Sequence, residues 1–284
     1  MVEKSVVVMG LPGSGKTTFL AALWHLIVGR EIDVKLNFVT LRAGNAAHLN
    51  EIARLWQQAR VQERTSVAGD KVVSIAFRVD DEDPCTLTFP DMRGEAFRDM
   101  WEARECDVDT LQLLKSTGVL FFVHADKINS PGWVVDEAQQ CKELGLPYEP
   151  GKSVPWNARL APTQVQIVDL LQAMQMPPLD VGPRRLAIIL SAWDKIAVER
   201  LSPDKYLARK LPLLAQYLAH GLTPGWQVRI YGVSAQGGDY DDDNSKSDEA
   251  ESLRAEDVPS KRIQVVLGDA QSHDLTDPLH WLLS

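Results

Sequence analysis

The sequence lacks the features of a secreted scaffold and of a membrane-spanning chain. It has only 3 cysteines in 284 residues and no Cys-x-x-Cys pair, which excludes a disulfide framework and a zinc site with closely spaced ligands. The apolar run that begins at Ser5 is too short for a signal peptide. No apolar run approaches the roughly 18 residues that a membrane helix needs. These absences predict a cytoplasmic protein with reduced thiols and no membrane span.

A surplus of basic charge is missing as well. The chain has 30 Lys and Arg against 39 Asp and Glu, a net charge of −9. Proteins that bind nucleic acid need a basic surface to neutralise the phosphates, so we expect no direct nucleic-acid partner. Much of the acidic excess lies between residues 239 and 257, which hold nine acidic and two basic residues. This composition predicts an acidic flexible loop at about residues 237–260.

Short β-branched and apolar runs alternate with stretches of helical periodicity along the chain. This alternation is typical of an α/β fold with a mostly parallel sheet, which binds its ligands at the carboxyl ends of the strands. Residues 128–161 are rich in Pro, Gly and Trp and weakly periodic, which indicates an insertion within a single domain over residues 1–284. The predicted strands are Ser5–Met9, an antiparallel hairpin of Val72–Val79 and Cys85–Phe89, Gly118–His124, Leu186–Ser191 and Gln227–Ser234.

A phosphate-binding motif follows the first predicted strand. Residues 10–17, GLPGSGKT, match the pattern G-x-x-x-x-G-K-[ST] and open a predicted helix. Gly13 and Gly15 allow backbone geometries in which successive N–H groups turn inward around phosphate oxygens. Lys16 can reach the β- and γ-phosphates, and the Thr17 hydroxyl can bind Mg²⁺. The motif predicts the three-layer sandwich of a P-loop NTPase, with one antiparallel hairpin strand. The predicted nucleotide contacts here are Gly10, Gly13, Ser14, Gly15, Lys16, Thr17 and Thr18.

A second motif, Asp-x-x-Gly, lies at the end of the hairpin strand Cys85–Phe89. Asp91 can hold the Mg²⁺ shell through water, and the N–H of Gly94 can contact a γ-phosphate. The motif alone has little specificity, because Asp-x-x-Gly is common in turns. Its position after the second strand that follows the phosphate loop gives it weight.

Two segments at the ends of later strands indicate which base is bound. Ser191-Ala192-Trp193-Asp194 resembles the [NT]-K-x-D motif of GTPases, with Ser and Ala in place of the first two residues. In that motif the Asp carboxylate accepts hydrogen bonds from guanine N1 and N2, which adenine cannot supply. Ser234 and Ala235 resemble the start of a Ser-Ala-Lys motif, whose backbone contacts guanine O6. We therefore predict a guanine site at Asp194, Ser234 and Ala235.

Taken together, these motifs resemble those of the translation-factor-like, Ras-like GTPases over most of the chain. More narrowly, the segments GLPGSGKTTFLAALWH, FPDMRGE and DPLHWLL are similar to those of the bacterial double-GTPase family. The resemblance implies GTP and GDP as ligands, Mg²⁺ as cofactor, and a nucleotide-dependent switch. It also implies a protein effector or activating partner within a bacterial multi-protein conflict or defence system. A homo-oligomer stays open.

The resemblance further implies a switch threonine and groups that assist hydrolysis. Thr65 is the candidate because it precedes the predicted strand Val72–Val79, and Thr40 is the alternative. Arg64 can neutralise charge in the transition state. Glu95 stands where Ras-like proteins carry a Gln that orients water, and its carboxylate repels the γ-phosphate, so we expect slow hydrolysis. The predicted catalytic residues are Lys16, Arg64 and Glu95, and the predicted Mg²⁺ ligands are Thr17, Thr65 and Asp91.

Two other functions remain open from the residues alone. The incomplete guanine motif is compatible with an ATP-binding phosphotransferase or ATPase of the P-loop class. A scaffold that binds nucleotide without hydrolysing it is the second alternative.

Overall fold

A computed structural model describes residues 4–61, 72–78, 84–90, 94–132, 134–147, 155, 157–241 and 246–284. These residues form an α/β fold with one nine-stranded mixed sheet, so the predicted fold class is confirmed at that level. The strands are β1 (Ser5–Gly10), β2 (Asn37–Ala43), β3 (Val72–Arg78), β4 (Cys85–Pro90), β5 (Gly118–His124), β6 (Arg185–Ser191), β7 (Gln227–Ser234), β8 (Gln264–Leu267) and β9 (Ala270–Ser272).

Ten α-helices and three short 3₁₀ helices connect or follow these strands in the described part of the chain. The 3₁₀ helices are Ala158–Leu160, Trp193–Glu199 and Pro259–Arg262. The α-helices are α1 (Lys16–Gly29), α2 (Ala46–Gln57), α3 (Gly94–Ala103), α4 (Val108–Leu114), α5 (Val134–Glu143), α6 (Thr163–Ala173), α7 (Pro203–Lys210), α8 (Pro212–His220), α9 (Asp248–Arg254) and α10 (Thr276–Leu283).

The sheet order is β2-β3-β4-β1-β5-β6-β7-β8-β9. Strands β4, β1, β5, β6 and β7 are parallel to one another. Strand β3 is antiparallel to β4, as the hairpin predicted, and also to β2. The prediction of a single antiparallel strand is wrong, because β8 also runs against β7 and β9. Gly268 has a φ of 58° in the two-residue turn between β8 and β9, a turn chemistry that favours a tight hairpin.

Two hydrophobic cores lie on opposite faces of the sheet, because side chains alternate along each strand. In β1, Val6 and Val8 belong to the core that α1, α2 and α10 cover. Val7 and Met9 belong to the other core, which α6, α7 and α8 cover. The central strand β5 is buried along Gly118–Val123, which explains its continuous apolar sequence. Because helices cover both faces of the sheet, a ligand can reach it only at the ends of the strands.

The acidic segment differs from its prediction. The loop predicted at about 237–260 is wrong for its second half, because residues 248–254 form α9 and residues 259–262 form a 3₁₀ helix. Three of its acidic residues lie in the first turn of α9, where negative charge is favourable to the helix dipole. Tyr240, Ala250 and Ser260 are buried, so this segment packs against the domain despite its charge.

The segment predicted as an insertion, 128–161, is closed at its base by hydrogen bonds. The Asn129 N–H donates to the Thr163 hydroxyl over 2.9 Å, and the Thr163 N–H donates to the Asn129 carbonyl oxygen over 2.9 Å. The Asn129 amide also donates to the carbonyl oxygens of Leu160 and Ala161, each over 3.1 Å. The two ends of the segment therefore leave and rejoin the domain at one point, with α5 between them.

The helical segment over residues 203–220 is divided into α7 and α8 at Pro212. Proline has no N–H and disfavours helical geometry in the residue before it, and Leu211 accordingly has a φ of −132°.

No helix in the described ranges is long and apolar enough to cross a bilayer.

Candidate nucleotide-binding site

The phosphate loop connects β1 to α1 and depends on three glycines with positive φ. Gly10, Gly13 and Gly15 have φ values of 151°, 69° and 86°, which other residues adopt only with strain. A Cβ atom on Gly10 would lie 2.6 Å from the carbonyl oxygen of Phe122, and one on Gly15 would lie 3.2 Å from the Ser191 side chain. Both glycines are therefore required by packing as well as by backbone geometry.

The ammonium group of Lys16 lies inside the curve of this loop. Its Nζ donates hydrogen bonds to the carbonyl oxygens of Gly10 over 2.7 Å and Leu11 over 3.1 Å. It also lies 3.2 Å from the Ser14 hydroxyl oxygen and 5.7 Å from the ring centroid of Phe97 in α3. The cation is thus placed at the centre of the loop, in contact with groups that an anion could replace.

The first turn of α1 is suited to an anion. Its N-cap is Gly15, which makes no side-chain cap, and the first N–H groups of an α-helix have no acceptor within the helix itself. Thr17 is exposed and Thr18 is half-buried at this end, whereas Ser14 is buried. Phosphate binds readily at helix N-termini of this kind. The residues present therefore fit a nucleotide phosphate.

The strand register brings the base-recognition candidates to the edge of the sheet where the phosphate loop begins. Gly10 pairs with Phe122 near the end of β5, and His124 pairs with Ser191 at the end of β6. Ser191 in turn pairs with Val233 at the end of β7. The phosphate loop, the segment that leads to Asp194, and Ser234 with Ala235 therefore all begin at one edge.

Ser191, which replaces Asn or Thr in the predicted motif, contacts the phosphate loop directly. It is buried, and its hydroxyl donates to the Ser14 carbonyl oxygen over 2.8 Å. Ala192 follows with a φ of 54°, and Asp194 lies in the first turn of the 3₁₀ helix that begins at Trp193. The Trp193 ring is buried and forms an edge contact with Tyr206, with a centroid distance of 5.6 Å.

The Ser234–Ala235 segment is held from two sides. Ser234 is buried, and its hydroxyl accepts a hydrogen bond from the Gly237 N–H over 2.9 Å. The Ala235 carbonyl oxygen accepts one from the indole N–H of Trp56 over 2.7 Å. Trp56 lies on the buried face of α2, and no motif in the sequence indicates that it reaches the end of β7.

Charged groups beside Asp194 shift in pKa. Burial lowers the pKa of Lys195, but its ion pair with Asp239, with an Nζ–Oδ2 distance of 2.5 Å, outweighs burial, so the net shift is upward. Burial lowers the pKa of His124, and Lys127 adds to the effect, against opposing contributions from Asp126 and Asp194. His124 is therefore favoured as neutral imidazole at the end of β5.

Several predicted residues lie outside the described part of the chain, namely Arg64, Thr65 and Asp91. Strand β4 ends at Pro90 beside β1, on the same edge as the phosphate loop. Gly94 begins α3, and Glu95 is its second residue, with its side chain outside the description. Among the residues that are described, no cluster of three His, Cys, Asp or Glu side chains could hold a metal ion.

Thr40, the alternative switch threonine, lies away from this edge. It pairs with Ala76 in β3, which pairs with Thr86 in β4, which pairs with Ser5 in β1. Thr40 is therefore level with Ser5 at the beginning of β1 and three strands away from it, which places it roughly 20 Å from Gly10 at the usual rise per residue and strand spacing. Its place in the sheet argues against a contact with the γ-phosphate.

Family comparison agrees with the motifs. The sequence model of the Double-GTPase 1 family matches residues 7–282, from β1 to α10. The chain belongs to the Double-GTPase 1 family. The resemblance to double GTPases inferred from three short segments is thereby confirmed. For this Double-GTPase 1 protein, no match exists among curated proteins.

Solved structures similar to this Double-GTPase 1 chain are distant. Bacterial selenocysteine-specific elongation factor EF-Sec is 12% identical, with a TM-score of 0.39; the match covers 84% of this chain and 27% of that one. The Ski7 GTPase-like domain of S. cerevisiae bound to GTP is 16% identical, with a TM-score of 0.42, over 83% and 43%. The SRb-GTP/SRX complex of the signal recognition particle receptor from Chaetomium thermophilum is 13% identical, with a TM-score of 0.38, over 83% and 92%. The chain thus spans about a quarter of the length of EF-Sec.

Proposed function

We propose that this protein is a Mg²⁺-dependent GTP-binding switch with slow or partner-stimulated hydrolysis of GTP to GDP and phosphate. Membership of the Double-GTPase 1 family supports GTP as the ligand. The observation that carries the proposal is the register of β1, β5, β6 and β7, which brings the phosphate loop and both base-recognition segments to one edge.

The phosphate loop binds the phosphates through its backbone and Lys16. Inward-facing N–H groups from Gly13 to Thr18 surround the phosphate oxygens, and the N-terminus of α1 adds positive potential. The Lys16 ammonium exchanges the carbonyl oxygens of Gly10 and Leu11 for the β- and γ-phosphate oxygens. This exchange needs little movement, because the ammonium already lies inside the loop.

The base site selects guanine. The Asp194 carboxylate accepts hydrogen bonds from the N1 and N2 groups of guanine, and the Ala235 N–H donates to O6. Adenine has no N1–H to donate to Asp194. Its 6-amino group is a hydrogen-bond donor and would face the Ala235 N–H, which is also a donor. Polar groups that a bound base covers and leaves unpaired are costly, which disfavours the ATP-binding alternative.

Hydrolysis depends on residues near the γ-phosphate. The Thr17 hydroxyl, exposed at the start of α1, would hold Mg²⁺ together with Asp91 and Thr65, the other proposed ligands. The metal ion, when bound, would offset charge on the β- and γ-phosphates. The Gly94 N–H contacts the γ-phosphate, and Arg64 offsets transition-state charge. Glu95 orients water less well than Gln does, because its charge repels the phosphate, so intrinsic turnover is slow.

The biological setting follows from the family resemblance alone. The switch acts in the cytoplasm of a bacterium with a protein effector or activating partner from the same conflict or defence system. A second copy of the chain is another source of an activating arginine.

The test is calorimetric titration of nucleotide-free protein with GTP, GDP, ATP and ADP, with Mg²⁺ and with EDTA. We expect guanine nucleotides to bind at least tenfold more tightly, a difference of about 1.4 kcal/mol, and GTP binding to weaken in EDTA. The variant K16A is the control for binding at the phosphate loop. Equal or tighter binding of adenine nucleotides would overturn the proposal. Single-turnover hydrolysis then separates a GTPase from a scaffold.

A further inference from the structure

A tryptophan outside the predicted motifs contacts the base-recognition segment. Trp56, near the end of α2, is fully buried, and its indole N–H donates to the Ala235 carbonyl oxygen over 2.7 Å. The two residues are 179 positions apart in the sequence. No nucleotide-binding motif includes α2, so this contact belongs to the particular packing of this chain.

The indole ring is fixed by its neighbours. The Arg262 guanidinium lies 4.3 Å from the ring centroid, and the His25 ring lies 4.8 Å from it, tilted by 39°. Arg262 also donates to the carbonyl oxygens of Trp56 over 3.4 Å and Gln57 over 3.2 Å. A ring held in this way has one orientation, so its N–H has one direction.

The end of α2 is also joined to the chain that follows the base-recognition segment. The Val61 N–H donates to the Asp241 carbonyl oxygen over 2.8 Å, and the Asp241 N–H donates to the Ala59 carbonyl oxygen over 3.0 Å. An Arg254–Asp241 ion pair with an N–O distance of 2.7 Å reinforces this junction. Trp56 is therefore anchored to the same body as the loop it contacts.

The segment from Ser234 to Gln236 has an occupied acceptor at each residue. Gly237 donates to the Ser234 hydroxyl, Trp56 to the Ala235 carbonyl, and the Tyr240 hydroxyl to the Gln236 carbonyl over 3.4 Å. Ser234 itself is paired in the sheet. The Ala235 N–H belongs to the peptide unit between Ser234 and Ala235. Because that unit is planar, anchoring Ser234 on one side of it and the Ala235 carbonyl on the other restricts the direction of the Ala235 N–H.

We propose that Trp56 is a positioning residue for recognition of the guanine O6 atom. Its indole N–H holds the Ala235 carbonyl so that the Ala235 N–H faces the base. This inference rests on the proposed function, because it requires guanine at the edge formed by β6 and β7. It adds a specificity role for α2 that no motif of the sequence contains.

The experiment measures how W56F changes binding of three diphosphates with Mg²⁺. GDP and inosine diphosphate carry O6, and the diphosphate of 2-aminopurine riboside lacks it. Loss of one hydrogen bond to the loop should weaken the binding of GDP and of inosine diphosphate by about three- to tenfold. The 2-aminopurine compound should bind W56F and the wild-type protein equally, because it has no O6 to lose.

W24F is the matched control. Trp24 lies in α1, and its indole N–H donates to the Asn50 side chain of α2 over 2.8 Å, so W24F removes a similar hydrogen bond from the same layer. We expect it to leave the binding of all three diphosphates unchanged. R262K, which removes the guanidinium that stacks on the indole ring without altering Trp56 or Ala235, should give a weaker loss of the same O6-specific kind and serves if W56F does not fold.

Two results overturn the inference while leaving the proposed function intact. One is an equal loss of affinity for all three diphosphates in W56F, which would mean that Trp56 only supports the structure of the site in general. The other is unchanged GDP binding in W56F, or in R262K if W56F does not fold. If the wild-type protein itself does not prefer GDP to ADP, the proposed function fails, and the inference fails with it.

Discussion

The hydroxyl of Ser191 donates a hydrogen bond to the main-chain carbonyl oxygen of Ser14 over 2.8 Å. This contact joins the end of β6, which leads to Asp194, to the centre of the phosphate loop. The fit is close, because a Cβ atom on Gly15 would lie 3.2 Å from the Ser191 side chain. A serine in place of Asn or Thr thus keeps a link between the two halves of the site.

S191A should weaken nucleotide binding by breaking this link. We expect a loss of about 1 kcal/mol in the free energy of unfolding, because the buried Ser14 carbonyl oxygen loses a donor, and weaker binding of GDP in calorimetry. S116A is the matched control: the Ser116 hydroxyl is also buried and donates to the Leu113 carbonyl oxygen over 2.7 Å, before β5. It should cost similar stability and leave GDP binding unchanged. A similar loss of GDP affinity in both variants would contradict the prediction.

D194N should change which base is bound. An amide donates where the carboxylate accepted, so it repels the N2 amino group of guanine and suits the C2 carbonyl of xanthine. We expect GDP to bind at least tenfold more weakly, about 1.4 kcal/mol, and xanthosine diphosphate to bind more tightly than it does to the wild-type protein. Calorimetric titration of D194N and of the wild-type protein with GDP and with xanthosine diphosphate measures this change. An equal loss of affinity for GDP and for xanthosine diphosphate would show that Asp194 does not contact the base.

The parts of the fold that could be predicted from the sequence have local signals. The run GVLFFVH matches β5 residue by residue, because a strand buried on both faces needs continuous apolar side chains. The phosphate loop has a fixed spacing, and its three glycines have the positive φ values that its geometry needs. The turn Gly268-Asp269 also carries a hairpin signal, so β9 could have been predicted.

The other features depend on contacts that are distant in the sequence. Charge predicted a flexible loop at about residues 237–260, whereas Tyr240 and Ala250 are buried and residues 248–254 form α9. The spacing of apolar residues in α2 is compatible with a buried Trp56 but cannot indicate which atom its N–H contacts, because Ala235 lies 179 residues further along the chain. Such contacts depend on tertiary packing, and the local pattern of apolar and charged residues does not predict them.

G10A should destabilise the protein more than G13A. Both glycines have positive φ, but a Cβ on Gly10 would also meet the Phe122 backbone at 2.6 Å, whereas one on Gly13 would meet no described atom within 4 Å. We expect a loss of roughly 1 kcal/mol for G13A from backbone strain and a larger loss for G10A, where strain and a backbone clash combine. Urea unfolding of the nucleotide-free proteins measures both. Equal losses would show that strain alone requires Gly10.

Stability should fall on mild acidification partly because of His124. Burial first, and then Lys127, hold its pKa below the ordinary value of 6.5. Between the folded pKa and 6.5, the unfolded chain therefore binds more protons at this residue, and folding is weakened as the pH falls through that window. Urea unfolding from about pH 7.5 to about pH 5.5 should show a smaller loss for H124N than for the wild-type protein. H220N is the control, since His220 is exposed at the end of α8. An unchanged pH dependence in H124N would mean that nearby Asp194 and Asp126 offset the burial of the imidazole.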